Sequence, residues 1–256
     1  MQYSGTVAHV WCREVVDETT TSSDLGVADV EWALSDTERT SRDALRRAQD
    51  RAVYGAAWGL VRHALSTVEP RVCPDEWRFL RSSLGRPEVH QPTWARALRF
   101  NLSHTDGMVA CVTTHGARCG VDVERPVRVL PLHRLTKVVL SEREQREFDL
   151  APPGRRQELF FRYWTVKEAY LKAIGSGMRF PMTACEFEVG TARPALRSLA
   201  AGPEHARYTF RQWPVQRGGL LAVAVQGNAT IEQESEVTVR FHLSGTDDER
   251  PRTARF

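Results

Sequence analysis

The chain has 256 residues, enough for one large domain or two of about 130 residues each. Its 41% hydrophobic and 26% charged residues are ordinary for a folded soluble protein and exclude disorder of the whole chain. Thirty-five basic residues nearly balance 32 acidic ones, so the net charge of +3 selects no class of partner by itself. No apolar run approaches the roughly 18 residues of a membrane span. Met1-Gln2-Tyr3-Ser4-Gly5 lacks the basic-then-apolar pattern of a secretory signal. Cys12, Cys73, Cys111, Cys119 and Cys185 are odd in number and form no Cys-x-x-Cys pair. Neither a zinc knuckle nor a disulfide scaffold is indicated, and a reduced, cytoplasmic protein is expected.

His9–Val16 reads as a strand, and Thr19–Asp24 as a polar loop. Ser35 and Glu38 form a capping box that starts a helix. That helix is expected to run on through Arg39, Arg42, Arg46, Arg47 and Arg51, whose spacing puts most of them on one side. Such a stripe suits phosphate or an acidic partner. It equally suits a solvated face balanced by Glu38, Asp43 and Asp50, and the residues alone favour this second reading.

Tyr54–Leu65 is a second helical stretch, ended by Glu69-Pro70, and Ser83–Pro87 is a turn. Met108–Thr114 is a β-prone run that His115-Gly116 breaks and Cys119–Val123 resumes, which predicts a hairpin. Arg156–Ile174 is a long helix stopped by Gly175, with Leu159, Tyr163, Val166, Tyr170 and Ala173 as its apolar stripe. Cys185–Val189, Tyr208–Trp213, Leu220–Val225 and Val237–Leu243 read as strands, and Asp247–Phe256 as a frayed tail. Without regular β–α alternation the fold class is α+β. The order strand, helices, strands recurs on either side of about residue 116. Two similar halves are therefore expected, residues 1–116 and 117–246, followed by a disordered tail at 247–256.

Three clusters carry candidate chemistry. Asp122 and Glu124 are two apart in a strand, so their carboxylates share a face. Two such acids repel unless a cation lies between them, and a hard cation such as Mg²⁺ takes oxygen ligands of this kind. A lone Asp-x-Glu is common, and taken alone the pair is better explained as an exposed face with two solvated acids. Glu168 and Lys172 are one helical turn apart, which suits an ordinary surface ion pair. Alternatively, Glu168 serves as ligand or base and Lys172 as a phosphate contact. Asn101-Leu102-Ser103-His104 precedes a strand, where His104 either caps a turn or donates to phosphate. No Gly-x-Ser-x-Gly elbow and no Walker loop is present, which argues against common serine hydrolases and P-loop NTPases.

Weak singly, these clusters are specific in combination. Gly85-Arg86-Pro87, Asn101-Leu102-Ser103-His104, Gly120-Val121-Asp122-Val123-Glu124 and Trp164-Thr165-Val166-Lys167-Glu168-Ala169-x-x-Lys172, in that order, closely resemble the 4′-phosphopantetheinyl transferases. The likeness covers about residues 34–226, and the length resembles the larger, two-half type that activates synthetases and megasynthases. The resemblance implies a pseudo-twofold pair of α+β halves with coenzyme A in the cleft between them. It implies Mg²⁺-dependent transfer of the 4′-phosphopantetheine arm to a serine of an apo acyl or peptidyl carrier protein, releasing 3′,5′-ADP. Mn²⁺ would be a substitute metal. Asp122, Glu124 and Glu168 then resemble the metal ligands, with Asp122, Glu168 and Lys172 catalytic. Glu168 is also the resemblance's base for the serine, although a tight ligand is not easily a free base, so a metal-bound water stays open as proton acceptor. Arg86, Ser103, His104 and Lys172 resemble coenzyme A-binding residues, with Arg86 near the adenosine end. Arg39, Arg42 and Arg51 are the nearby cations where the family often has lysines. Glu144 resembles a family acid near the active site.

The expected protein is a cytoplasmic monomer that binds neither nucleic acid nor membrane. Two other readings remain: a Mg²⁺-dependent hydrolase of coenzyme A or a related nucleotide, and a non-catalytic protein that holds coenzyme A or a carrier. Intact Asp122, Glu124, Glu168 and Lys172 speak against the last. A carrier-docking surface is expected at Val127, Val129, Leu130, Leu132 and Leu135, in the run between the acidic strand and the long helix.

Overall fold

The computed structural model describes residues 6–15, 32–126, 131–176, 179–199, 208–227, 237–243 and 253–254. Four layers position the site. The first is a helix, α2 (Ala48–Val68), which presents Val53, Ala57, Leu60, Val61, Ala64 and Leu65 to a sheet. A shorter helix, α1 (Asp36–Asp43), precedes it and starts at the expected Ser35/Glu38 capping box.

The second layer is a five-stranded sheet built from β1 (Thr6–Glu14), β4 (Leu98–Thr105) and β5 (Met108–His115), with β11 (Val237–Leu243) and β12 (Thr253–Ala254) from the C-terminal end of the chain. A small hairpin, β2 (Arg78–Arg81) with β3 (Pro87–Gln91), flanks it. β5 is buried on both faces, which explains why Met108–Thr114 reads as a continuous apolar run rather than an alternating one. Val109 and Cys111 face α2, whereas Ala110 and Val112 face the next layer.

That third layer is a separate sheet in the order β6 (Cys119–Glu124), β10 (Gly219–Gln226), β9 (Tyr208–Val215). Val121, Val123, Leu221 and Val223 meet Ala8, Val10 and Val112 in a core between the sheets. The fourth layer is α5 (Pro153–Ile174), whose Tyr163, Val166, Tyr170 and Ala173 are buried as its apolar stripe predicts. It ends at Gly175, in the left-handed conformation at φ 72°. Two shorter helices, α3 (Leu132–Val139) and α4 (Glu142–Leu150), and the hairpin β7 (Cys185–Glu188) with β8 (Ala195–Leu199) complete this side.

The mixed α+β class is as expected. Three local expectations are corrected. β5 and β6 are consecutive but do not pair: β5 lies between β1 and β4, and β6 pairs with β10. The turn between them carries the chain from one sheet to the other. The helix through the arginines is interrupted between Asp43 and Ala48, so its cations do not form one stripe. Within the tail, Thr253–Ala254 forms a short strand on β11, the remainder lying outside the described residues. The Thr19–Asp24 loop lies outside them too.

Candidate active site

β4 and β6 are edge strands of different sheets, and their seam is closed by side chains rather than by a ladder. Asn101 and Ser103, two apart on β4, share a face. The Asn101 Oδ1 accepts from the Val121 amide at 2.9 Å, and the Ser103 Oγ accepts from the Val123 amide at 3.4 Å. The Asn-x-Ser spacing thus matches the period of β6 and satisfies two of its edge amides.

On the other face of β6, Gly120 lets α5 come down onto the strand. A Cβ there would lie 2.1 Å from the Ala169 carbonyl oxygen and 2.5 Å from the Ala173 nitrogen. At this distance Trp164 and Lys172, two turns apart on α5, reach the two acids of β6. The Lys172 Nζ donates to Asp122 Oδ1 at 2.7 Å, to Ser103 Oγ at 2.9 Å and to the Val121 carbonyl at 3.2 Å. Ser103 Oγ in turn donates to Asp122 Oδ1 at 2.9 Å. The Trp164 Nε1 donates to Glu124 Oε1 at 3.0 Å, and Thr105 Oγ1 donates to Glu124 Oε2 at 3.3 Å. Glu168 lies midway along the helix between them.

These acids are electrostatically strained. Burial, then the charge of Asp122, pushes Glu124 up to about 7, against the opposing bonds from Trp164 and Thr105. Burial and Asp122 also raise Glu168, with Lys172 acting the other way. Asp122 itself is 4% exposed, and its Oδ2 is buried without a hydrogen-bond partner. Among the described residues no three His, Cys, Asp or Glu side chains form a ready-made metal cluster. The donor set nevertheless fits a hard divalent cation: oxygen ligands only, one buried carboxylate oxygen without a partner, and two neighbours that resist ionisation.

A cleft of about 630 Å³ opens beside these residues. Its walls come from the start of α2 (Arg47, Asp50, Tyr54), the end of β4 (His104, Thr105), the end of β6 (Glu124, Arg125) and α5 (Phe160, Trp164). The His104 side chain borders this cleft, and partial desolvation of its ring, then the Lys172 ammonium, lower its pKa, so the neutral imidazole is favoured at neutral pH. A second cleft of similar size lies on the α1 side. Trp32, Arg39, Tyr54, Arg78 and Arg81 line it, and Tyr54 borders both.

The structure brings together Ser103, His104, Asp122, Glu124, Glu168 and Lys172. It gives other candidates different surroundings. Arg86, expected at a phosphate, donates to three backbone carbonyls: Lys172 at 2.7 Å, Phe100 at 3.0 Å and Cys119 at 2.8 Å. Arg42 pairs with Asp43, and Arg51 donates to the Leu45 and Arg46 carbonyls. Arg39 pairs with Asp36 on the wall of the second cleft. Glu144 is not at the active site. It is 1% exposed in the core under α5, caps α4 through Ser141, accepts from the Phe187 amide and pairs with the fully buried Lys167. Of the expected docking run, Leu135 lines the main cleft and Leu132 packs on the core, while Val127, Val129 and Leu130 lie outside the described residues.

Sequence reasoning did not single out Asn101, Thr105 or Trp164 as positioning groups, or Arg47 as a cleft cation. Strand period two from Ser103 to Thr105, and helical spacing four from Trp164 to Glu168, were the signals available for two of them.

Comparison with known proteins gives a family match over part of the chain. The model of the 4′-phosphopantetheinyl transferase superfamily matches residues 118–225. The 4′-phosphopantetheinyl transferase HetI of a Nostoc species is 33% identical over 144 residues, covering 54% of this chain and 60% of that protein. A phosphopantetheinyl transferase of a Thraustochytrium species is 28% identical over 173 residues, covering 62% of this chain and 59% of that one. The crystal structure of Thermotoga maritima holo-(acyl-carrier-protein) synthase matches at 25% identity with a TM-score of 0.36, covering 45% of this chain and 68% of that one. The chain thus spans about three fifths of the length of the two curated relatives. Over residues 118–225, which hold β6 with its acids and the whole of α5, this chain matches the model of the 4′-phosphopantetheinyl transferase superfamily.

Proposed function

We propose that the protein transfers the 4′-phosphopantetheine arm of coenzyme A to a serine hydroxyl of an apo acyl or peptidyl carrier protein, with Mg²⁺ as cofactor. The carrying observation is the buried Asp122, bonded by Ser103 and Lys172 through one oxygen and left with a second oxygen that only a cation or a further donor would satisfy. Asp122, Glu124 and Glu168 would hold the metal, which when bound neutralises charge on the pyrophosphate.

The side chains supply the rest. Lys172, 28% exposed and fixed at the seam, offers positive charge to the pyrophosphate. His104 presents a neutral ring as hydrogen-bond partner to phosphate. Glu168 takes the serine proton, a role that leaves Asp122 and Glu124 as the tighter ligands of the metal. The serine oxygen attacks the phosphorus that bears pantetheine, the phosphoanhydride bond to ADP breaks, and 3′,5′-ADP leaves. Positioning and electrostatics carry most of such a phosphoryl transfer. The basic second cleft around Arg39, Arg78 and Arg81 would take the adenosine 3′-phosphate, with Tyr54 at the join. In this reading the main cleft is flanked by the half 1–116, whose sheet β11 joins, and by the half that begins at residue 117 with β6 and α5.

The test is incubation with coenzyme A, Mg²⁺ and a panel of apo carriers, read by intact mass. A phosphopantetheine adduct that disappears when the carrier serine is replaced by alanine supports the reading. Steady release of 3′,5′-ADP and free phosphopantetheine without carrier would support hydrolysis instead.

A further inference from the structure

We propose that Arg86 is a positioning residue rather than a phosphate ligand: it locks the last turn of α5 against the seam of the two sheets and so aims Lys172. The inference deepens the function proposed above and rests on it. Three observations carry it. First, the three carbonyls come from three separate segments: Phe100 in β4, Cys119 at the start of β6, and Lys172 in the last turn of α5. Second, the Lys172 carbonyl belongs to the helix terminus, where the backbone lacks onward partners and carries partial negative charge, so a guanidinium is favoured there. The Gly175 amide reaches the same carbonyl only at 3.3 Å. Third, Lys172 is tethered at both ends. Its carbonyl is held by Arg86, and its Nζ lies on Ser103, Val121 and Asp122 of the same two strands.

The planar fork of arginine suits this role. Both Nη2 protons of Arg86 go to the two strands, and one Nη1 proton goes to the helix. A lysine at this position carries the charge but cannot span three carbonyls in different directions. Without the fork, the end of α5 is free to shift off the seam and carry the ammonium away from Asp122.

The test compares wild type with Arg86→Lys, Arg86→Gln and Arg86→Ala, the two milder changes guarding against loss of the fold. Steady-state transfer is measured with coenzyme A and with dephospho-coenzyme A. Arg86→Ala should lower kcat about 10–100-fold, the scale of a small misplacement of a catalytic group. KM for coenzyme A and the preference over dephospho-coenzyme A should hold, and Arg86→Lys should not restore kcat. A raised KM for coenzyme A alone at wild-type kcat would overturn the proposal in favour of a phosphate ligand. So would full rescue by lysine, or a lowered melting temperature with kcat and KM unchanged. Independently of activity, acetic anhydride labelling of Lys172 in the free protein, read by peptide mass, should speed up severalfold in Arg86→Ala and Arg86→Gln. Unchanged labelling also overturns the proposal. If wild type transfers nothing to any carrier, the proposed function fails while the labelling comparison still decides the role of Arg86.

Discussion

At the scale of single residues, the site is a cluster of negative charge held against its own preference. Glu124 is raised from 4.5 to about 7, first by burial and then by Asp122. A carboxyl whose folded pKa lies above its unfolded one binds its proton more tightly in the folded state. Its stabilising contribution is complete below about pH 4.5 and is lost as pH rises through about 7. The neutral amide in Glu124→Gln keeps the shape and removes this loss. That variant should therefore melt higher than wild type at pH 8 and about level with it at pH 4.5, in metal-free buffer. Each kcal/mol recovered corresponds to about 2–4 °C in a chain of this size. A lower melting temperature at pH 8 would show that the bonds from Trp164 and Thr105 outweigh the desolvation. The same proton competes with a cation. If Glu124 is a ligand, Mg²⁺ affinity measured by calorimetry should fall about tenfold from pH 8 to pH 6, the factor expected for displacing one proton from a group with pKa near 7. Affinity independent of pH over that range would remove Glu124 from the ligand set.

At the scale of elements, the site depends on how closely α5 lies on β6. Gly120 sets that distance, because any Cβ would overlap the helix backbone at Ala169 and Ala173. Gly120→Ala should cost about 1–3 kcal/mol in urea denaturation, as overpacking of a rigid contact does, and should lower transfer with it. Unchanged stability would mean the helix yields easily and the close approach is not needed. Much at this scale was legible in the sequence, because it is periodic. The stripe Tyr163, Val166, Tyr170, Ala173 and the Gly175 stop specify α5, and the acids two apart specify one face of β6. Other features had no local signal. β6 pairs with β10, about a hundred residues away, and residue periodicity does not name a partner strand. The burial of Lys167 depends on Glu144 and on the Val139 and Met182 carbonyls, contacts made only in the folded chain. Arg86 reads as a ligand through the resemblance of its motif alone, and its three carbonyl partners lie in distant segments that no local pattern names. α3 and α4 are short, and their apolar residues gave no long period to detect.

At the scale of the whole molecule, the two sheets share a core of small β-branched residues and alanines, and the cleft runs along one side of that sandwich. The site therefore depends on both sheets keeping their register, since Ser103 comes from one and Asp122 from the other. The sheet that carries Ser103 is completed from the far end of the chain. β1 pairs with β11 in parallel over seven residues, from Thr6 with Val237 to Cys12 with Leu243. On its other side β1 pairs with β5, which pairs with β4. Removal of residues 228–256 would leave β1 as an open edge, with its backbone amides and carbonyls unpaired and ready to template another chain. At roughly 1 kcal/mol for each lost backbone bond and about 2–4 °C for each kcal/mol, a chain ending at Gly227 should melt roughly 10–25 °C lower than the full chain. It should also form soluble oligomers in size-exclusion chromatography. Transfer should fall through loss of folded protein rather than through loss of the cleft, so activity per folded monomer should hold. A truncated chain that stays monodisperse with an unchanged melting temperature would show that β11 is an accessory to the sheet. The two-sheet sandwich would then be complete, and the seam correctly set, without the C-terminal strand.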